Sequence, residues 1–258
     1  MYLRNEWMTS CWLLFMISLS FLPNSITQKV KSGDSLNIPC HRNSPDFNTC
    51  MIKVLHDVRP ILKKGVPKMR IQTLEPMFVP QILVKQGSGP VSIDSTFTDQ
   101  KIHGMTNYMI NGIKIDLDNF KMEVDFYLPW LYIEGGYSIK GQILVLPISG
   151  SGDSWSNYTT VTGKAVLTGH SESRNGEEYW GIDDLKFSIN VKKATIHMNN
   201  LFNGNKQLGD AMNNFMSQNF DAVFQELKPV IDEAIAIILK DIIKKLFAKF
   251  PVKALFPI

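Results

Sequence analysis

The chain has 258 residues, a formal net charge of +3, 44% hydrophobic residues and three cysteines. Abundant apolar residues and a small net charge exclude an intrinsically disordered chain, and 17 glycines and 13 prolines without a repeat exclude a collagen-like one. Three cysteines are too few for a small disulfide-rich scaffold, and a charge of +3 argues against a nucleic-acid-binding protein.

The N-terminal segment has the layout of a secretory signal peptide. Arg4 precedes an apolar run from Cys11 to Leu22, which is shorter than the about 20 residues that a membrane-spanning helix needs. We therefore predict a signal peptide over residues 1–25, cleaved between Leu22 and Gln28, with a buried N-terminal helix as the alternative. The remainder, residues 26–258, is predicted to be a secreted single domain.

Cleavage removes Cys11 and leaves two cysteines, Cys40 and Cys50. An even pair in a secreted chain indicates a disulfide, and closing such a short loop contributes roughly 2–3 kcal/mol. The alternative is a metal site that uses Cys40, His41 and Cys50, but the spacing supplies no fourth ligand. We therefore predict a Cys40–Cys50 disulfide.

A helix is predicted directly after this pair. Apolar residues recur at helical spacing from Asn48 to Lys64. Asn48 or Thr49 would cap the helix, and Gly65 would end it.

Between about residues 70 and 200 the apolar period changes to two, which indicates antiparallel strands with one buried face. The clearest case is the alternating set Met122, Val124, Phe126, Leu128, Trp130 and Tyr132. The phase slips between Val191 and Ala194 and between Leu117 and Phe120. Such slips predict β-bulges, and bulges bend a sheet strongly.

Glycine-containing pairs predict turns at Asn111-Gly112, Gly135-Gly136 and Asn175-Gly176. The glycine- and serine-rich stretch Ser149–Ser154 predicts an exposed loop. Asn157-Tyr-Thr159, just after it, is an N-glycosylation sequon, so we predict a glycan on Asn157.

The C-terminal part is predicted to be one long helix. From Gln207 to about Phe250 apolar residues keep a spacing of three to four, which gives a rod of roughly 60 Å that Pro229 would kink or split. Its second half is apolar around much of its girth, yet charged residues interrupt it too often for a membrane span. Because a curved sheet with one apolar face and a widely apolar helix each need cover, we predict an α+β fold in which the sheet wraps the helix.

These residues resemble the insect takeout and juvenile-hormone-binding protein family. The likeness rests on the Cys40 and Cys50 pair before a helix and on three further blocks. The blocks are GVPKMRIQTLEPMFVP at residues 65–80, LFNGNKQLGDAMNNF at 201–215 and FAKFPVKALFP at 247–257.

The resemblance implies a curved antiparallel sheet around one long C-terminal helix, with an internal hydrophobic tunnel for a lipid-like ligand. The hormone-binding members usually carry a second disulfide, for which this chain has no cysteines. The chain is therefore more similar to the takeout branch.

Catalytic patterns are weak. The five histidines show no metal-ligand spacing. Asp183 and Asp184 would face opposite sides of a strand, and Ser88 and Ser151 lack the nucleophile elbow. We therefore predict that the chain is not an enzyme and that it binds neither a cofactor nor a metal ion.

The predicted function is a secreted, monomeric carrier of a small apolar ligand such as a terpenoid or fatty acid, without nucleic-acid binding or stable membrane insertion. The sequence does not decide whether the protein also binds a receptor. The residues predicted to line the ligand site are Phe97, Met122, Phe126, Leu128, Trp130, Tyr132, Phe187, Met198, Met212, Phe215 and Phe224. Tyr108, Tyr132 or Thr162 would orient a polar head. The alternative is a membrane-surface or lipid-transfer protein that acts through the basic segment Lys240–Lys249.

Overall fold

A strongly curled antiparallel sheet forms the wall of the fold. The computed structural model describes residues 38–87 and 89–258, so the predicted signal peptide lies outside the described residues. The strands are β1 Met77–Gln86, β2 Val91–His103, β3 Met109–Asp116, β4 Lys121–Ile143, β5 Leu146–Arg174 and β6 Glu177–Met198. The sheet order is β1-β2-β4-β5-β6, and β3 pairs with the half of β4 that does not pair with β2.

The helices lie at the two ends of the described chain. They are α1 Phe47–Asp57, α2 Arg59–Lys64, α3 Lys206–Gln218, α4 Phe220–Lys249 and α5 Val252–Leu255, with 3-10 turns at Pro67–Met69, Met105–Asn107 and Phe202–Gly204. Helix α4 has 30 residues and is therefore about 45 Å long. It packs mainly on β6 and also contacts β1 and β2, so it closes the gap between the two edges of the curled sheet. The predicted α+β architecture is confirmed.

The predicted helices have different boundaries in the structure. The N-terminal helix is divided at Val58, and Asp46 rather than Asn48 or Thr49 occupies its N-cap position. The long C-terminal helix breaks at Asn219, while Pro229 lies inside α4. The Asn219 side chain donates to the Phe215 carbonyl at 2.8 Å and so closes the last turn of α3.

Two predicted turns and the predicted loop are wrong, because those residues lie inside strands. Gly135-Gly136 is in the middle of β4, and Ser149–Ser154 belongs to β5. A Cβ atom on Gly135 would lie 2.3 Å from Nε2 of Gln100, so this glycine allows close packing. Asn111-Gly112 falls within β3 at a register shift, whereas Asn175-Gly176 does form the β5–β6 turn.

Three adjacent strands exchange their inner and outer faces along one line. The residues that pack inward on either side of it are Leu128 and Leu131 on β4, Tyr158 and Val161 on β5, and Val191 and Ala194 on β6. The pairing register is the same on both sides of the line, so each strand carries a matching irregularity. The bulge predicted between Val191 and Ala194 is this shared irregularity, and the slip predicted after Leu117 is the β3–β4 turn.

Side chains of α3 and α4 cover the edge of β6. The Asn213 side chain accepts from Met198 N at 2.9 Å and donates to Met198 O at 3.1 Å. Further along, Asp232 accepts from Ile189 N at 3.0 Å. These bonds occupy backbone groups that an edge strand would otherwise present to solvent, and they fix the helices against the sheet.

Candidate functional site

The inner face of the sheet is uncharged over most of its area. Side chains alternate between the two faces of a strand, so the buried residues of the core clusters show which other positions face inward. This alternation can be followed from Val91 to Ile102 in β2, Met122 to Ile143 in β4, Ile148 to Leu167 in β5 and Leu185 to Met198 in β6. Within these described segments no Asp, Glu, Lys, Arg or His occupies an inward position. The helix therefore faces a wall of apolar and neutral polar side chains.

Helix α4 is tightly packed at both ends. Near its start, Phe220, Val223 and Phe224 are buried, and Phe220 and Phe224 stack at 5.3 Å between ring centroids. At its other end, Phe247 packs edge-on against Trp180 at 5.4 Å.

The middle of α4 is much less covered. Between Phe224 and Phe247 every apolar residue is only half-buried, except Ile237, which is 64% exposed. The half-buried residues are Leu227, Val230, Ile231, Ala234, Ile235, Ala236, Ile238, Leu239, Ile242, Ile243 and Leu246. This segment is about 35 Å long. It is the candidate ligand-binding site.

The sheet residues opposite this segment are also apolar and half-buried. Phe126 and Phe187 stack at 5.4 Å between centroids and pack beside Ile231 and Ile235. Ile133 lies in a neighbouring cluster with Ile238. Two apolar surfaces thus face each other without fully covering each other, which is the arrangement of a site for an apolar ligand.

The residues predicted to line a ligand site fall into three groups. Phe97, Met122, Phe126, Phe187 and Phe215 are half-buried. Leu128, Met198, Met212 and Phe224 are almost fully buried in core clusters and therefore belong to the packed ends. The third group, Trp130 and Tyr132, lies on the other face of the sheet.

The inward placement of Trp130 and Tyr132 is wrong because β4 exchanges faces after Leu128. Leu131 and Ile133 pack into the core, so Tyr132 between them points outward. Its ring stacks at 6.5 Å on Trp155, which in turn stacks at 5.5 Å on His197. These three rings form an outer aromatic row that no inner ligand contacts.

The side chains predicted to orient a polar head of the ligand are not available to the site. The hydroxyl of Tyr108 donates to the carbonyl of Leu55 at 2.5 Å, and burial raises its pKa to about 12 although the nearby Arg59 acts in the opposite direction. Thr162 lies outward on β5 beside the inward-facing Val161. Two other tyrosines face inward: Tyr137, whose hydroxyl donates to the carbonyl of Asn199, and Tyr158, whose hydroxyl pKa is raised by burial. Tyr158 is not predictable from the alternation around Val161, because the strand exchanges its faces between these two residues.

The structure joins Cys40 to Cys50 in a disulfide. This loop meets the C-terminus, because Arg42 N donates to Pro257 O at 2.7 Å and Phe47 packs on Phe256 at 6.2 Å. Asn157 is exposed, but it lies on strand β5 and not in a loop; its glycosylation stays a prediction. Among residues 38–87 and 89–258 no cluster of three His, Cys, Asp or Glu side chains has metal-binding geometry.

The basic segment of α4 is partly neutralised. Lys240 lies 3.7 Å from Asp184, and Lys245 pairs with Asp241 at 2.5 Å. No helix in the described part of the chain is both long and apolar enough to span a membrane.

Comparisons with known proteins agree with this geometry. The chain is 25% identical over 251 residues to "Circadian clock-controlled protein daywake" of Drosophila melanogaster, covering 94% of this chain and 96% of that protein. It is 25% identical over 218 residues to the "Putative beta-carotene-binding protein" of Schistocerca gregaria, covering 83% and 86%. The crystal structure of Takeout 1 from Epiphyas postvittana superimposes with a TM-score of 0.74 and 26% identity, over 85% of this chain and 99% of that one. The family model described as haemolymph juvenile hormone binding protein (JHBP) matches residues 13–257, and the chain therefore belongs to that family.

Proposed function

We propose that this chain is a secreted, monomeric carrier that binds one small, elongated apolar molecule between α4 and the inner face of the sheet. The observation that carries the proposal is the half-buried apolar segment of α4 opposite an uncharged wall. The family's description names juvenile hormone binding, and the name of one relative names beta-carotene binding. Both names support an apolar ligand for this chain.

The binding mechanism is removal of apolar surface from water. Hiding about 400 Å² of ligand at roughly 25 cal/mol per Å² provides on the order of 10 kcal/mol before the ordering costs of association. An apolar tail about 35 Å long or shorter would fit along the segment between Phe224 and Phe247. No catalytic step is needed for this function.

The test is ligand recovery from the protein secreted by insect cells, by organic extraction and mass spectrometry, together with displacement of a fluorescent apolar probe. Ile235→Glu places a charge in the half-buried segment and should abolish probe binding. Ile237→Glu is the matched control, because Ile237 lies on the same helix but is 64% exposed. If no apolar compound is recovered or displaces the probe, or if both variants behave alike, the carrier proposal fails.

The membrane-surface alternative is not favoured by the described contacts, since Lys240 and Lys245 already lie beside carboxylates. Sedimentation with anionic vesicles separates the two functions. Vesicle binding that is lost when Lys244, Lys245 and Lys249 are replaced by Glu would support the alternative.

A further inference from the structure

A patch of neutral polar side chains lies on the largely apolar inner face of the sheet, in addition to the buried Ser95 and Tyr137, whose hydroxyls donate to Val84 O and Asn199 O. The patch, called here the polar row, consists of Gln100 on β2 and of Ser154, Ser156 and Tyr158 on β5. Ser156 pairs with Ile133 and with Ile196, and both isoleucines pack in core clusters. Ser156 therefore faces inward, and Ser154 and Tyr158 face the same way on the same strand.

Gln100 is held over the centre of this patch. It is 3% exposed, and its Nε2 donates to Thr98 O at 2.8 Å and to Gly136 O at 2.9 Å. The side chain lies directly over Gly135, whose hypothetical Cβ would be 2.3 Å from this nitrogen. Gly135 pairs with Ser154, whose hydroxyl donates to the Gly135 carbonyl at 3.3 Å. The row is thus continuous across β2, β4 and β5.

Tyr158 forms the end of the row nearest to α4. Its ring lies 6.2 Å from Phe220 and packs in the cluster that includes Ile231 and Ile235. Burial raises the pKa of the phenol, and a hydrogen bond with Ser156 opposes this rise. The Tyr158 hydroxyl is therefore a neutral group with restricted access to water, next to the half-buried segment of α4.

Polar side chains at such positions are unfavourable unless they form hydrogen bonds. Larger apolar residues would fill the same positions without that cost. Ser154 and Ser156 are also smaller than the leucines, isoleucines and phenylalanines on either side, whereas the space above Gly135 is filled by Gln100. Small size and hydrogen-bonding capacity together are what a site needs in order to receive a polar atom of a ligand.

We propose that the polar row is a subsite for a neutral oxygen function, such as a hydroxyl or carbonyl group, on an otherwise apolar ligand. The inference rests on the proposed carrier function and narrows its ligand class. The inward positions of the described sheet segments supply no cation, so a free carboxylate at the row would remain unpaired. The ligand class is therefore an alcohol, ketone or ester with a long apolar chain, in preference to an ionised fatty acid.

The test is competitive loading of the whole purified protein from a mixed film of dodecan-1-ol, dodecane and dodecanoic acid at pH 8. Bound compounds are extracted and quantified by gas chromatography, and each variant is loaded from the same film as the wild type, so differences in aqueous solubility cancel when the bound ratios of the proteins are compared. We expect the wild-type protein to retain dodecan-1-ol over both other compounds. Tyr158→Phe should lower the bound ratio of alcohol to alkane about 5- to 10-fold, which is the usual size of one lost hydrogen bond.

Tyr127→Phe is the matched control, because it makes the same chemical change on the opposite face of β4. It should leave the ratio unchanged. Ser156→Ala is a second variant that changes the row without altering an aromatic ring, and it should lower the ratio in the same direction. If Tyr158→Phe does not fold, Ser156→Ala decides the outcome alone.

The possible failures are distinguishable. If all three compounds load but the ratio is unchanged in the row variants, or if the wild type prefers dodecanoate, the subsite is overturned and the carrier function stands. If none of the compounds loads into the wild-type protein, the carrier function itself fails.

Discussion

The two ends of α4 and its middle are built differently. At the ends, aromatic side chains bury one another, as Phe220 and Phe224 do near the start and Trp180 and Phe247 do near the finish. In the middle, equally apolar residues such as Ile235 and Ile238 stay half-buried against an uncharged wall. The same helix thus provides stability where it is covered and the proposed binding surface where it is not.

The largest expected effect is on stability at the C-terminal end. Trp180 is 2% exposed and contacts the rings of Phe120, Phe247 and Phe256. We expect Trp180→Ala to lower the free energy of unfolding by about 3–5 kcal/mol, because it removes the centre of this cluster. Urea denaturation measures the loss. If the free energy of unfolding fell by less than about 1 kcal/mol, the ends of α4 would not contribute more to stability than its middle, and the comparison would fail.

The disulfide should strengthen the same end. Its loop carries Phe47, which packs on Phe256, and Arg42, whose backbone N–H donates to the Pro257 carbonyl. Replacing Cys40 and Cys50 together by Ser should cost about 2–3 kcal/mol, mainly by freeing the unfolded chain. We expect apolar-probe affinity per folded molecule to change little. A large loss of affinity in the folded variant would place the binding region closer to this end than we propose.

In the middle of α4 the expected effects are reversed. Ile235→Ala should reduce the free energy of unfolding by only about 1 kcal/mol, since the side chain is half-buried. Probe affinity should fall about 5-fold, because part of the apolar contact with the ligand is lost. Fluorescence titration and urea denaturation of the same preparation compare the two quantities. Equal losses at Ile235 and Trp180 in both measurements would contradict the division of roles.

The smallest effect is expected on the solvent-facing side of β4. Hydrogen bonds from Lys121 and Lys164 hold the pKa of Glu123 at about 2, below its ordinary value of 4.5. A lowered carboxyl pKa stabilises the folded state above about pH 4.5, and this contribution is lost as the pH falls toward 2.

Glu123→Gln should therefore lower the Tm slightly at pH 7, and the difference from wild type should shrink at pH 3. Thermal unfolding at both pH values tests this expectation. Because Glu123 is outward, probe affinity at pH 7 should be unchanged. A difference in Tm that grows on acidification would contradict the sign.

Much of the fold could be predicted from the sequence because its strongest signals are periodic. Alternation in the strands, the long apolar helix and the blocks similar to the family all led to the observed architecture. The prediction of turns at Asn111-Gly112 and Gly135-Gly136 is wrong, because a single sequence does not distinguish a glycine that permits a turn from one that permits close packing.

The site was predicted less well, for a geometric reason. Alternation continued from Leu128 places Trp130 and Tyr132 inward, whereas the strand exchanges its faces at Pro129. The same exchange hid Tyr158 on β5. Periodicity identifies which residues share a face only while the backbone keeps its phase, and tertiary curvature decides where that phase is lost.

The face exchange also limits how the length of this sheet can change. Because β4, β5 and β6 turn over at matching positions, deleting one residue such as Thr160 would reverse the orientation of half a strand while its neighbours stayed in place. Tyr158 and Ser156 would then point to solvent, and Trp155 would point into the interior. Insertions and deletions near this line must therefore occur in all three strands together, whereas the β5–β6 turn at Asn175-Gly176 is free to vary in length.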